Sequence, residues 1–478
     1  VTGGYDVENS LRFNSGSSEY LLRTHGTNHT AVKFAISFWI KRSDVGNEQV
    51  ALTSYTDGNN TGVIRFNANN TLEIFDYQDS YKLRKITNRV FRDISAWYHI
   101  VVSVDTAQGT ASNRFKLYVN GVQETSFSTN TNYSEDDANM FNKNVLNWIG
   151  ANPYNSGIGY TNGYMSEFVF IDGTANDEED FGEFDSDSGI WKPIKVSGLT
   201  FGDNGYYLEF KQAGTSQNAS GMGADTSGNT DHWAVASLTA VDQTTDTCTN
   251  NFATVNPLDS GFKVNLSEGN LKFVGETADF IQQWGRTTFG VSRGKWYWEM
   301  TKIANNPCIG IVTMQSPINL ALENNAAARC VIYCSGQLDG QDNSGRVNGI
   351  ATSIADYADD DIVSCMMDLD NGFVYFAKNG TIQIGADDST TGNPASGSSG
   401  TGAANPTSQL LTNQHDGVWS PLIFDNSSNP AATAIYNFGN PTVALSSGVA
   451  DGNGFGNFEY APPSGYLALC TKNLAETG

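Results

Sequence analysis

Two stretches far apart in this chain repeat one pattern, and that pattern leaves little freedom in the fold. In Ala96–Val122, AWYHIVVSVDTAQGTASNRFKLYVNGV, residues Ile100, Val102 and Val104 alternate with His99, Val101, Ser103 and Asp105. Period two is the signature of a half-buried strand. After a Gly/Ser/Asn-containing turn, Phe115, Leu117 and Val119 point one way and Lys116, Tyr118 and Asn120 the other, and Asn120-Gly121 has the residue types of a tight hairpin turn. Asp361–Gly380, DIVSCMMDLDNGFVYFAKNG, follows the same plan: an apolar strand ending in an acid, a turn at Asn371-Gly372, a return over Phe373–Lys378, and Asn379-Gly380. Two such units predict two antiparallel β-sandwiches. No catalytic motif stands out, so function has to be read from that architecture.

The rest of the chain supports an all-β reading. Strands are expected at SLRFN and YLLRT, then over Phe34–Arg42, Gln49–Tyr55, Gly62–Phe66, Thr71–Tyr77 and Tyr81–Ile86. Val145–Gly150 and Gly163–Asp172 close the first unit. In Phe34–Arg42, Ala35, Ser37 and Trp39 oppose Phe34, Ile36, Phe38 and Ile40. The second unit reads as strands at Leu271–Val274, Lys295–Ile303, Cys308–Thr313, Cys330–Cys334, Ile362–Leu369, Gly372–Lys378, Trp419–Asp425 and Ala434–Phe438. A Gly/Ser/Thr/Asn/Pro-rich loop is expected over Ala386–Gln409. The 49 glycines against 12 prolines fit short strands joined by tight turns. Between the units, the acids of DEEDFGEFDSDSG (177–189) read as a solvated face or a connector, with calcium chelation the minority view. The polar stretch QAGTSQNASGMGADTSGNT is too poor in apolar residues to pack alone. The domain reading is therefore residues 1–176, a core-poor bridge at 177–260, and 261–478.

Charge and cysteine content narrow the function classes. The net charge is −24 over 478 residues, with 27 Lys and Arg that do not cluster. A phosphate-binding surface needs concentrated cations, so nucleic acid and anionic membranes are excluded as partners. No run of about 18 apolar residues exists to span a bilayer. The opening VTGGYDVENS has neither a basic n-region nor an apolar h-region, so no secretory signal is visible, and Val at residue 1 leaves processing open. The six cysteines (248, 308, 330, 334, 365, 470) form no Cys-x-x-Cys and read first as buried free thiols in a reducing compartment, with disulfides and a metal site as alternatives. Cys330 and Cys334 would face one side of one strand, a poor disulfide geometry.

Particular motifs resemble known families. Phe38-Trp39-Ile40, Trp97-Tyr98-His99 running into VVSVD, LYVNG at 117–121 and FVFIDG at 168–173 resemble a laminin-G-like, concanavalin-type sandwich over roughly residues 8–175. SRGKWYWEM at 292–300, CIGIV at 308–312, DDIVSCMMDLDNGFVYFAKNG at 360–380, WSPLIF at 419–424 and YNFG at 436–439 resemble a SPRY domain. That resemblance implies a second concanavalin-like sandwich used for binding and not for catalysis. GEFDSDSGIWKP at 182–193, GYYLEF at 205–210, DQTTDTCTNNFATVNPL at 242–258 and PPSGYLALCTKNL at 462–474 are similar to segments of virion proteins of marine tailed phages. Together these resemblances imply a fibre, appendage or decoration protein on the particle surface, folded in the host cytoplasm. Its expected partners are other virion proteins and further copies of itself, a trimer being typical of fibres.

A glycosidase on this fold needs a carboxylate pair on alternate strand residues, and Glu299 in YWEM has no partner two residues away, so no enzyme is expected. His25, His29, His99, His232 and His415 are scattered, and His99 reads as a hydrogen-bonded strand residue. Calcium would suit the turn oxygens of Asp57 with Asn59 and Asn60, or Asp339 with Asp342 and Asn343, but each is first a turn sequence. Asp368-x-Asp370-Asn371-Gly372 is explained by its hairpin. No cofactor is expected. Glycan binding requires rings to stack on sugar CH faces beside Asn or Asp oxygens. The candidates are Tyr154 and Tyr160 in NPYNSGIGYTNGY, and Asp76, Tyr77 and Tyr81 near a hairpin. Trp233 is expected to bury against a neighbouring domain. The expected fold is two concanavalin A-like antiparallel sandwiches of jelly-roll type. The expected role is host-surface or glycan attachment, with a ligand-free architectural protein as the alternative and an adhesin or glycosidase module after that.

Overall fold

The structure is a computed structural model and describes residues 4–26, 32–152, 159–261, 264–276, 283–317, 330–334, 337–342, 345–351, 355–383, 392–398, 417–427 and 431–477, with only the backbone considered at 337–342 and 345–351. The chain forms two compact units, Val1–Asn250 and Asn251–Gly478.

The first unit is a sandwich of two antiparallel sheets. One runs, in spatial order, Val122–Gln123, Phe115–Val119, Trp97–Asp105, Lys33–Arg42, Gly163–Asp172, Ser10–Phe13 and Gln243–Thr244, with Tyr206–Leu208 also paired to Gly163–Asp172. The other runs Phe127–Thr131, Ser80–Val90, Thr71–Gln78, Asn60–Phe66, Gln49–Asp57, Leu146–Ile149, Tyr20–Thr24 and Ala234–Ala236. Phe34, Ile36, Phe38 and Ile40 meet Ile100, Val102, Val104, Ile64, Ile74 and Leu83 in one core, as the alternation requires. Asn120 and Gly121 both take positive φ, 50° and 74°, the conformation of a two-residue turn whose twist matches the strands it joins. The Asn120 side chain accepts the His99 backbone N–H at 2.7 Å, tying turn to strand.

The second unit repeats this device: Asn379 and Gly380 have φ of 48° and 77°, and the Asn379 side chain accepts the Ile362 N–H at 2.9 Å. Its first sheet is Val255–Ser260, Trp284–Thr287, Trp419–Asp425, Pro307–Thr313, Cys330–Cys334, Gln337–Asp342 and Gly345–Ala351. The second is Val264–Ser267, Lys272–Gly275, Thr433–Asn437, Lys295–Ala304, Ile362–Asp368, Phe373–Lys378 and Thr381–Ile382, with Leu467–Ala468 alongside Lys295–Ala304. Trp296, Trp298, Met300, Ile309, Ile311, Val363, Cys365 and Met367 fill its core. Of the loop expected at Ala386–Gln409, only 392–398 lie within the described residues.

Two sequence expectations are corrected. Cys308 and Cys334 are joined by a disulfide, with Cα atoms 4.6 Å apart; Cys248, Cys330, Cys365 and Cys470 remain thiols. Pairing of Ile309 with Tyr333 puts Cys308 directly opposite Cys334, a relation set by register between strands and invisible in spacing. The bridge expected at 177–260 is also not core-poor in place. Tyr206, Leu208, Phe210, Met222, Trp233 and Leu238 enter the core of the first unit, where Trp233 is fully buried with its ring 4.9 Å from Tyr206. Phe181, Tyr207 and, more loosely, Val196, Leu199 and Phe201 cover Ala35, Val101, Val169 and Ile171 on the other face of the first sheet. These apolar residues are too few and too irregular to make a core. They complete one that the strands already supply. The Gly-rich part is organised by Asp225, whose carboxylate accepts the N–H groups of Tyr207, Ser227 and Asp231.

Candidate functional site

In the first unit, the face of the second sheet turned away from the core carries a cluster of rings and charges. On Thr71–Gln78, Leu72 and Ile74 point into the core, so Glu73, Phe75 and Tyr77 point outward. Phe75 pairs with Arg84 and Tyr77 with Tyr81, and an irregularity in register between these pairs brings Tyr81 beside Tyr77, not onto the core side with Leu83. The Tyr81 ring stands edge-on to Tyr77 (centroids 5.0 Å) and to Phe75 (5.9 Å). The Arg84 guanidinium lies over Tyr81 at 4.6 Å, and Arg65 lies over Phe75 at 5.3 Å. Both arginines are anchored: Arg84 Nε donates to Glu73 at 2.9 Å, Arg65 bonds the same carboxylate at 2.8 Å, and Arg65 also pairs with Glu48 at 2.9 Å. Tyr81 stays 42% exposed. The result is an aromatic surface whose rotamers are held by cation–π and ion-pair contacts on both sides.

The other candidates are distributed differently. Asp76 is fully buried and accepts from Tyr133 Oη (2.8 Å), Met140 N–H (2.9 Å) and Gln78 Nε2 (3.0 Å). Burial pushes its carboxyl pKa up, against the opposing pull of these hydrogen bonds. Asp76 therefore holds the chain around 133–140 and presents nothing to a ligand; neighbours in a strand face opposite ways, so it cannot share a face with Tyr77. Tyr160 packs near Tyr20, centroids 6.3 Å apart. Tyr20 lies five strands from Tyr81, about 24 Å at the usual strand spacing, so the two tyrosine candidates do not form one site. Tyr154 lies outside the described residues. Phe75, Arg65, Glu73 and Arg84 were missed, although the alternation that places Leu72 and Ile74 inside would have found Glu73 and Phe75.

The groups that suggest chemistry are committed to structure. His99 is buried; its Nδ1 accepts from Trp191 Nε1 at 2.9 Å, so Nε2 carries the proton and donates to Ser37 Oγ at 2.8 Å. Burial lowers its pKa to about 3. An imidazole whose Nε2 is protonated cannot take the serine proton, so Ser37–His99 is not a nucleophile–base pair. Glu299 is buried and accepts from Tyr297 Oη, Asn437 Nδ2 and the N–H groups of Glu459 and Tyr460. Asp57 Oδ1 accepts from Asn59 N–H and Asn60 Nδ2, closing its own turn. Asp368 bonds Asn371 and pairs with Lys295 at 3.0 Å. Asn343 lies outside the described residues, as do the side chains of Asp339 and Asp342. Among the described residues no group of three or more His, Cys, Asp or Glu is placed to hold a metal ion, and no helix is long and apolar enough to cross a membrane.

Comparison with known proteins places the fold. Residues 14–179 match the family model of the concanavalin A-like lectin/glucanases superfamily, and the first unit is a concanavalin A-like sandwich. A search of curated proteins gives no match. Similar solved structures include the SPRY domain of human HERC1, at 14% identity over 38% of this chain and 96% of that one, TM-score 0.27. Another is a putative carbohydrate binding protein from Bacteroides ovatus, at 15% identity over 48% of this chain and 58% of that one, TM-score 0.34. A heptameric SAP-like pentraxin from Limulus polyphemus is similar at 14% identity over 36% and 80% of the two chains, TM-score 0.26.

Proposed function

We propose that this chain is a non-catalytic attachment protein of a tailed-phage particle, a fibre, appendage or decoration protein, and that its first sandwich binds a host-surface glycan on the Phe75–Tyr77–Tyr81 face. The observation that carries the glycan reading is Tyr81, a large ring left 42% exposed yet fixed by Phe75, Tyr77 and Arg84. A sugar stacking on such a ring pays little to order it. The superfamily whose model matches residues 14–179 is described by its lectins and glucanases, which supports the same reading. The particle context rests on the virion-like phrases at 182–193, 205–210, 242–258 and 462–474.

In this reading no cofactor is used, and the partners are other virion proteins and further copies of the chain, a trimer if it is a fibre. Each copy binds weakly and many copies on one particle gain avidity. The chain folds in the host cytoplasm, so the Cys308–Cys334 disulfide closes only after release into an oxidising exterior.

A glycan array probed with the full chain, with calcium or with EDTA, tests this beside Tyr81→Ala. Binding that falls about tenfold on loss of the ring, the upper range of one aromatic contact, supports it. Silence on every glycan would favour the ligand-free architectural reading. Undiminished binding by Tyr81→Ala would remove the face from the site, and turnover of any host polysaccharide would overturn the non-catalytic assignment.

A further inference from the structure

The acidic run at 177–189 is a largely exposed face, as its charge leads one to expect, and it is also ordered. Gly182–Phe184 and Trp191–Pro193 pair as a β-hairpin, and its turn is locked by Asp185, whose Oδ1 accepts the N–H groups of Asp187 and Ser188. Trp191 anchors the hairpin to the outer face of the first sheet. Its ring lies 5.9 Å from His99, its Nε1–H is bonded to His99 Nδ1, and it sits so close over Gly121 that a Cβ there would be 2.1 Å from the indole.

This rigid element nevertheless leaves large apolar side chains in water. Phe184, whose ring meets Trp191 at 4.9 Å, is 51% exposed, and Ile190 is 66% exposed. Val122, the residue after Gly121 on the edge strand of the sheet, is 52% exposed. Single exposed apolar residues are ordinary; three large ones around one anchored hairpin mark a contact surface.

Charge selects what can cover it. Residues 177–190 contain seven carboxylates (Asp177, Glu178, Glu179, Asp180, Glu183, Asp185 and Asp187) and no basic residue. Lys192, the nearest cation in the hairpin, is already paired with Glu183 and Asp185 at 3.2 Å each. Tyr118, which pairs across to the edge strand at Gln123, feels this charge: burial first, then Glu178 and Asp177, hold its pKa above the usual value. A second copy of this chain, itself at net charge −24, would bring like charge to like charge. We infer that the hairpin at Gly182–Pro193, with Val122 beside it, docks a segment of a different protein that combines apolar side chains with Lys or Arg. The apolar residues supply affinity, and the carboxylate rim supplies selection and speed of encounter.

The test uses the full chain and two labelled octapeptides, one alternating Lys with Phe and one alternating Lys with Ser, read by fluorescence anisotropy. The Lys/Phe peptide should bind at least about tenfold more tightly than the Lys/Ser peptide. Phe184→Ser with Ile190→Ser should erase that difference; both residues are exposed, and an unchanged near-ultraviolet circular dichroism spectrum confirms the fold. Glu178→Gln with Glu183→Gln should weaken binding of both peptides and flatten its salt dependence. Equal binding of the two peptides, or a double serine variant that binds as the parent does, would overturn the inference. So would concentration-dependent self-association in sedimentation that the double serine variant abolishes, since the occupant would then be a second copy.

Discussion

Replacing Glu167 by glutamine should make the protein more stable, and only above a defined pH. Glu167 sits at an irregularity where Ser166 pairs with Trp39 and Val169 with Ser37, leaving one extra residue in the strand, and it adopts φ of 51°. The bulge turns its carboxyl into a pocket where it is 6% exposed, accepts a hydrogen bond from Tyr207 Oη, and lies 3.3 Å from Tyr5 Oη. Burial raises its pKa from 4.5 to about 7; the Tyr207 hydrogen bond opposes the rise and Glu209 adds to it. Below pH 4.5 the group is protonated in both the folded and the unfolded chain. Between 4.5 and 7 the folded chain holds a proton that the unfolded chain has lost, so stability falls as pH rises through this window. The gap between 4.5 and about 7, at about 1.4 kcal/mol per pH unit, amounts to about 3 kcal/mol of destabilisation above pH 7. Glutamine keeps the shape and an acceptor for Tyr207 without the charge. Calorimetric scans of the full chain and of Glu167→Gln between pH 4.5 and 8 should show one transition whose midpoint difference grows from near zero to about 6–12 °C, given about 2–4 °C per kcal/mol for a unit of this size. Groups unaffected by the substitution cancel in that difference. A difference that does not change with pH, or a variant less stable at pH 8, would refute the reasoning.

Three further outcomes are expected. Thiol titration of the unfolded, unreduced protein should count four cysteines of six, rising to six after reduction; reduction should cost the second unit about 3.5 kcal/mol for a loop of 26 residues, read as a lower urea midpoint. His99→Phe strips Ser37 Oγ and Trp191 Nε1–H of their partner, at about 1–3 kcal/mol for the buried Ser37 hydroxyl, and acrylamide should quench tryptophan emission more strongly as the half-buried Trp191 loosens. Lys41→Met leaves the Asp246 carboxylate, paired at 2.8 Å and fully buried, without its ammonium. The first unit should lose about 3–5 kcal/mol in urea titration, and a loss below 1 kcal/mol would show that water reaches the pair.

The candidate site was only partly legible in the sequence. Tyr77 and Tyr81 are legible because an aromatic beside a hairpin is a local feature, whereas Asp76 is only their neighbour in the chain. Alternation alone separates Asp76 from Tyr77 and adds Phe75. Arg84 needed the register irregularity that sets Tyr81 beside Tyr77. Tyr160 looks equivalent to Tyr81 in the sequence, and the strand order that puts four strands between Tyr81 and Tyr20, against which Tyr160 packs, lies in no single segment.

What the amino-acid order determined by itself is the all-β character, the alternating faces and the Asn-Gly turns at 120–121 and 379–380, because each depends on residues within a few positions of one another. Tertiary structure decided which faces are covered. Trp191 reaches His99 across 92 positions, Trp233 enters a core built by strands that begin at Ser10, and Cys308 finds Cys334 through strand register. The physical reason is one of range: period two says that a strand has two faces, and only the assembled sheets show what remains to bury each of them.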